Sequence, residues 1–173
     1  RIAALDALTG STTSWNPNAN NSVYTMTVSS DVTSLLVGGA FTNIGSQARN
    51  LAAEIGLTTG TSTAWNPDVT GTAVWTILNS SGIYLAGNFS DVGGSTRNNI
   101  AEVDFSKITN GDPTAWNPNA NGQVRALLLD GSTLYVAGLF TNIGGRARNR
   151  IAALNTSTAS SSVWNPDANG DIY

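Results

Sequence analysis

The tripeptide Trp-Asn-Pro occurs four times, starting at Trp15, Trp65, Trp116 and Trp164, so successive copies lie 50, 51 and 48 residues apart. A second series keeps the same beat: Phe41, Phe89 and Phe140 are each followed eight residues later by an arginine, Arg49, Arg97 and Arg148. Self-similarity at a fixed period of this length is the mark of a chain built from like supersecondary units, each burying an apolar face against the next.

Within one period four short segments have strand-like composition. The first covers 23–28, 74–78 and 124–129; the second covers 35–41, 83–89 and 134–140. The third covers 2–6, 51–55, 100–104 and 151–155, and the fourth ends in each repeated Trp. β-Branched and aromatic residues dominate these runs, and Gly, Asn, Asp and Ser separate them. No window of helical length places apolar residues at i, i+3, i+4 and i+7. The expectation is therefore an all-β chain, a β-propeller of ~50-residue, four-stranded antiparallel blades of kelch-like period. The strands divide into a half blade (1–20), three full blades (21–70, 71–121, 122–169) and the start of another (170–173). Three and a half blades do not close, so other blades or subunits are expected to complete the propeller and the chain to be part of something longer.

The pairs Gly38-Gly39, Ala86-Gly87 and Ala137-Gly138 fall inside the second strand, where glycine marks close approach of another backbone. Face-to-face packing of blades near the axis is the expected cause. Up-and-down strand order brings two sets of polar connections to one face: 42–50, 91–98 and 141–149, together with 16–20, 66–68, 117–122 and 165–170.

Composition narrows the chemistry. Charged residues make up 11% of the chain, against about 25% in ordinary domains, and the formal charge is −3. No basic footprint for nucleic acid exists, and no apolar run suits membrane insertion. Cysteine and histidine are both absent, which excludes disulfides, thiolate metal sites and imidazole-based nucleophilic triads. Low charge with abundant Thr, Ser and Asn suggests an extracellular or cell-surface protein.

Candidate site residues come from the patterned face. Asn43, Arg49, Arg97, Asn142 and Arg148 recur there and form a candidate binding set, since each guanidinium offers five donors in a rigid fork. The competing reading is that each arginine locks its loop by donating to carbonyls of the next blade. The four repeated Trp residues read either as sugar platforms or as inter-blade core with the indole N–H bonded to backbone. Residues 165–171 resemble the opening of a calcium loop, with Asp167, Asn169 and Asp171 as candidate ligands; the alternative is Asx-stabilised turns. No other cofactor is expected. Glu54 and Glu102 occupy nearly equivalent third-strand positions, and no acid–base pair is apparent. Sequons begin at Asn20, Asn79, Asn88 and Asn155.

The run at 140–154 (FTNIGGRARNRIAAL), with 163–170 (VWNPDANG), resembles the delta-60-type, kelch-like propeller repeat of large bacterial secreted and surface proteins. That resemblance implies a propeller and carries over no catalytic residues. The segment 4–15 (ALDALTGSTTSW) is similar to the tryptophan-docking motif of pyrroloquinoline-quinone dehydrogenases, with one extra residue between Gly10 and Trp15, and Gly56 breaks it in the next copy. The favoured function is a non-catalytic module for scaffolding or adhesion, recognising a saccharide or protein at the cell surface. An architectural subunit of a surface layer or filament is the alternative, and a quinoprotein- or glycosidase-type enzyme comes third.

Overall fold

The computed structural model describes residues 1–80, 82–104 and 111–172. Among these residues all regular structure is β. The first full blade holds β1 (Val23–Val28), β2 (Ser34–Gly39), β3 (Asn43–Ile44), β4 (Gln47–Ala48) and β5 (Ala52–Gly56). The second holds β6 (Val69–Asn79), β7 (Ile83–Val92), β8 (Ser95–Thr96) and β9 (Ile100–Val103). The third holds β10 (Val124–Asp130), β11 (Thr133–Gly138), β12 (Asn142–Ile143), β13 (Arg146–Ala147) and β14 (Ile151–Asn155). The main ladders are antiparallel meanders, β1-β2-β5, β6-β7-β9 and β10-β11-β14. The chain is thus an all-β, partial propeller whose sheets do not close into a ring.

Burial explains why these residues make these strands. β2 and β7 are covered on almost every residue, because a middle strand has a blade against each face. β11 alternates half-buried and buried, because only one of its faces is covered. Leu36 packs toward the second blade and Val37 toward the half blade. In the second blade, Leu85 faces the first blade and Tyr84 the third. Three apolar layers result, one at each junction. Each fully buried Leu, Ile or Val in them contributes about 1.5–3 kcal/mol relative to exposure.

The fourth strand is shorter than its composition suggests. It is a single bridge in each unit: Leu5↔Thr12, Ile55↔Ser62, Val103↔Pro113 and Leu154↔Ser161. Immediately afterwards a Thr or Ser hydroxyl accepts the Trp backbone N–H (Thr63 from Trp65, Thr114 from Trp116), turning the chain out of the sheet. β6 also begins at Val69, five residues before the expected 74. The insertion expected near 107–112 falls largely on 105–110, outside the described residues, as do Ser81 of a hairpin and Tyr173 of the final stub.

The expected close approach at the paired small residues has two causes. A Cβ on Gly38 would meet Val74 of the next blade, 2.8 Å from its Cγ1, as anticipated. A Cβ on Gly39, Gly87 or Gly138 would instead strike the carbonyl of Ser22, Ala73 or Gln123, at 2.2, 2.1 and 2.0 Å. Each of those carbonyls lies two residues before a bulge. The ladder skips a residue between Val23 and Thr25, between Val74 and Thr76, and between Val124 and Ala126.

Candidate functional site

Two regions carry polar or aromatic side chains at equivalent places in successive blades. They are built very differently.

On the patterned face, tight hairpins project from each blade: β3-β4, β7-β8 and β12-β13. Their two central residues, Gly45-Ser46, Gly93-Gly94 and Gly144-Gly145, all have positive φ, as in a mirror-image two-residue turn that suits strand twist. The arginine after each hairpin folds back beneath it. Arg49 donates through Nη1 to the Ala48 carbonyl and through Nη2 to the Thr63 carbonyl, at 2.8 and 2.6 Å. Arg97 reaches the Thr96 and Thr114 carbonyls at 2.8 and 2.5 Å, and Arg148 those of Ala147 and Ser162 at 2.7 and 2.5 Å. Thr63, Thr114 and Ser162 belong to the fourth segment of the same blade, so the clasp is internal to a blade and does not cross to the next one. The Nε atoms of all three arginines are buried without a protein partner. Asn43 and Asn142 are exposed on the same face, and their backbone N–H groups donate to the side chains of Asn20 and Asn121.

The remaining repeated polar groups are also engaged inward. Glu54 accepts from Ser34 and Thr63, each at 2.5 Å, tying second, third and fourth segments together. Glu102 accepts from Thr114 at 2.8 Å and lies opposite Tyr84. Burial first, and then the hydrogen bond and charge of Glu102, push the Tyr84 hydroxyl pKa well above its ordinary value. Trp15 and Trp116 donate their indole N–H across the junction to Gly56 and Asn155 carbonyls, at 3.0 and 3.1 Å. Trp65 is 1% exposed with its N–H unpartnered, and Trp164 lies edge-on to Tyr135 at 5.4 Å on the open third blade.

The calcium-like loop is likewise tied to its neighbours. Asp167 accepts from Asn149 at 2.7 Å, and Asp171 pairs with Arg150 at 3.1 Å. Among the described residues no group of three or more acidic side chains has metal-holding geometry. Asp6, the acid of the docking-like motif, accepts the N–H groups of Leu8 and Thr9 and the Thr9 hydroxyl. Those bonds, led by the Thr9 backbone, lower its pKa.

The second region is the row of skipped first-strand residues: Tyr24, Trp75 and Arg125. First strands are innermost, since the close backbone approaches between blades run through β1, β6 and β10. A bulge removes its extra residue from ladder pairing and re-aims the side chain, which is why bulges gather beside functional sites. Tyr24 is 52% exposed; Trp75 and Arg125 are half-buried. Trp75 has a blade on either side, so its exposure does not come from an open end. The Arg125 Cζ sits 5.5 Å from the Trp75 ring centroid, a cation–π arrangement between adjacent blades. Thr76 pins the same spot by donating to the Arg125 carbonyl at 2.8 Å. The backbone device repeats while its side chain changes from Tyr to Trp to Arg. Period-based reading misses this row, because Trp75 stands off the Trp-Asn-Pro beat; the available signal was an aromatic or Arg immediately after the first-strand Val in each copy.

Comparison with known proteins gives the following. Residues 80–104 and 127–157 match a family described as a domain of unknown function (DUF5122), beta-propeller. A protein of Phoma sp. (strain ATCC 20986 / MF5453), named Polarized growth protein L1, is 44% identical over 93 residues. That match covers 50% of this chain and 7% of the fungal protein. No solved structure matches.

Proposed function

We propose that the chain is a non-catalytic recognition and scaffolding module of the cell surface, which holds a saccharide against the inner row of Tyr24, Trp75 and Arg125. One observation carries this reading: the repeated polar side chains of the patterned face bind the blade together, whereas the bulge row presents unlike, partly exposed side chains from a like backbone. Tyr and Trp faces stack on the C–H surfaces of sugars, and a guanidinium fork donates to hydroxyls or a carboxylate. The committed carboxylates Glu54 and Glu102 support the non-catalytic part of the proposal. The fungal relative's name refers to polarized growth, and we carry that over only as a setting for the proposal.

The test is a glycan array probed with the chain and with Trp75→Ala. Binding that disappears in the variant at unchanged melting temperature supports the proposal; a signal equal in both proteins refutes it. The architectural alternative draws on a different observation. Ala126, Leu128, Tyr135, Ala137 and Ile151 line an apolar hollow of about 210 Å³ on the uncovered face of the third blade. Ordered assemblies in solution without any glycan signal favour that alternative.

A further inference from the structure

The Asn-x-Ser sequons that begin at Asn20, Asn79, Asn88 and Asn155 differ in what each amide nitrogen does. Asn20 Nδ2 donates to the Thr42 hydroxyl, Asn79 Nδ2 to the Val28 carbonyl of the preceding blade, and Asn88 Nδ2 to the Thr72 hydroxyl, each at 2.9 Å. Asn79 and Asn88 are also half-buried and lie within β6 and β7. Asn155 is exposed, and its Nδ2 has no partner among the described residues. All of its side-chain bonds run through Oδ1, which accepts the Ser157 and Thr158 N–H groups at 2.9 Å each and the Thr158 hydroxyl at 3.2 Å. These donors turn the oxygen inward and leave the nitrogen to solvent.

This exposure is not an effect of the uncovered end of the chain. Asp6 holds the same turn in the half blade, its Oδ1 accepting the Leu8 and Thr9 N–H groups and the Thr9 hydroxyl. Asp6 has the following blade in place, where Trp15 reaches the Gly56 carbonyl. Asn155 has the preceding blade in place, whose Trp116 donates to the Asn155 carbonyl itself. Both side chains are exposed, so neither neighbour covers this turn.

We propose that Asn155 is the acceptor of an N-linked glycan, an inference that rests on the cell-surface half of the function proposed above and not on the Trp75 site. The donor is an oligosaccharide joined to a lipid through a diphosphate. Asn155 Nδ2 forms the bond to the anomeric carbon of the first sugar and loses one proton. The anomeric C–O bond breaks, and the lipid diphosphate leaves with its electron pair. Oδ1 takes no part, so the bonds that hold the turn survive, whereas a sugar on Asn20, Asn79 or Asn88 competes with an internal bond. Asn155 pairs with Thr133, and the Arg125 bulge lies beside Gly138, five residues along β11. The glycan therefore stands about 17 Å along the sheet from the inner row and leaves that row open.

The test secretes the 173-residue chain from a glycosylating eukaryotic host behind a cleavable leader. An amidase then releases the glycans in heavy-oxygen water, which labels each former acceptor as aspartate for mass spectrometry. Asn155 is expected to carry about tenfold more label than Asn20, Asn79 or Asn88, each of which gives up an internal hydrogen bond to a sugar. Ser157→Ala keeps the backbone N–H of the turn but destroys the sequon, so the Asn155 label disappears at unchanged melting temperature. Ser157→Thr retains the label. An unlabelled Asn155, label spread equally over the sequons, or label that survives in Ser157→Ala overturns the proposal. Because the leader imposes secretion, an unlabelled Asn155 counts against this site and not against the cell-surface reading.

Discussion

The second blade and its two neighbours close the same gap by different means. In the first and third blades an asparagine after the Trp-Asn-Pro loop acts as a clamp. The Asn20 Oδ1 accepts the N–H groups of Thr42 and Asn43 at 3.0 and 3.1 Å, and its Nδ2 donates to the Thr42 hydroxyl at 2.9 Å. Asn121 does the same with Thr141 and Asn142. In the second blade Thr70 stands at that place, and β6 and β7 simply continue: Thr70 pairs with Asp91 and Val69 with Val92 through the backbone. The same backbone donors stand at that place in all three, and each is paired within the protein. A side-chain amide supplies the acceptor where it is present, and a longer ladder does so where it is not.

The lining residue just before the third strand varies in the same manner. Leu51, Asn99 and Arg150 share a left-handed backbone, with φ of 63, 65 and 64°. Leu51 joins Val69 in the apolar layer, Asn99 donates to the Ala120 carbonyl at 2.9 Å, and Arg150 pairs with Asp171. One backbone thus accepts an apolar, a neutral polar or an ionic tie to its loop.

The largest effect that sharpens this comparison comes from the element the blades share. Gly87→Ala and Gly138→Ala each force a Cβ onto a carbonyl, in the second and third blades respectively. Each is expected to lose about 3 kcal/mol by urea denaturation, the upper range for forced overpacking. A clearly smaller loss for Gly87→Ala would mean that the longer ladder yields where the clamped blade does not. Next, Asn121→Ala removes a clamp and is expected to cost about 1–2 kcal/mol, whereas Thr70→Ala changes stability by less than about 0.5 kcal/mol. Equal losses at these two positions would break the comparison.

The pH response is a finer probe. Tyr84 has its pKa raised by burial and by Glu102, so its contribution is complete below the ordinary tyrosine value of 10.0 and is lost as pH rises past it. Tyr84→Phe is expected to flatten this alkaline limb in an equilibrium denaturation series. Asp31 has a lowered pKa, chiefly through the Ser29 hydroxyl, and Asp6 through Thr9. Both favour the fold above the ordinary carboxylate value of 3.8 and lose that contribution as pH falls below it. Both groups are fully exposed, so Asp31→Asn is expected to give the smallest shift, visible only as a slightly shallower acid limb.

Much of the architecture was legible in the chain itself. Period, strand order and the small residues of the second strand follow from Trp15, Phe41, Gly39 and their copies, because packing against a like neighbour imposes a like residue each time. The arginines were readable as loop locks, but not the direction of the lock. Whether Arg49 reaches Thr63 of its own blade or the blade beyond depends on the hairpin geometry set by Gly45-Ser46, which no periodic count reveals. The inner row was hidden for the opposite reason. Tyr24, Trp75 and Arg125 have unlike side chains, and a bulge shows in register, not in composition. The early start of β6 was hidden too, since Thr70 and Gly71 read as turn formers.

Two substitutions give the most direct test of the claim that repeated polar residues hold the blades while bulge residues stay partly exposed. Urea unfolding of Arg97→Ala and Tyr24→Ala should separate them. Loss of the charged bonds from Arg97 to two carbonyls is expected to cost about 2–3 kcal/mol. Loss of the exposed Tyr24 ring is expected to cost less than about 1 kcal/mol. The reverse order, with Tyr24 the more costly to remove, would contradict the account.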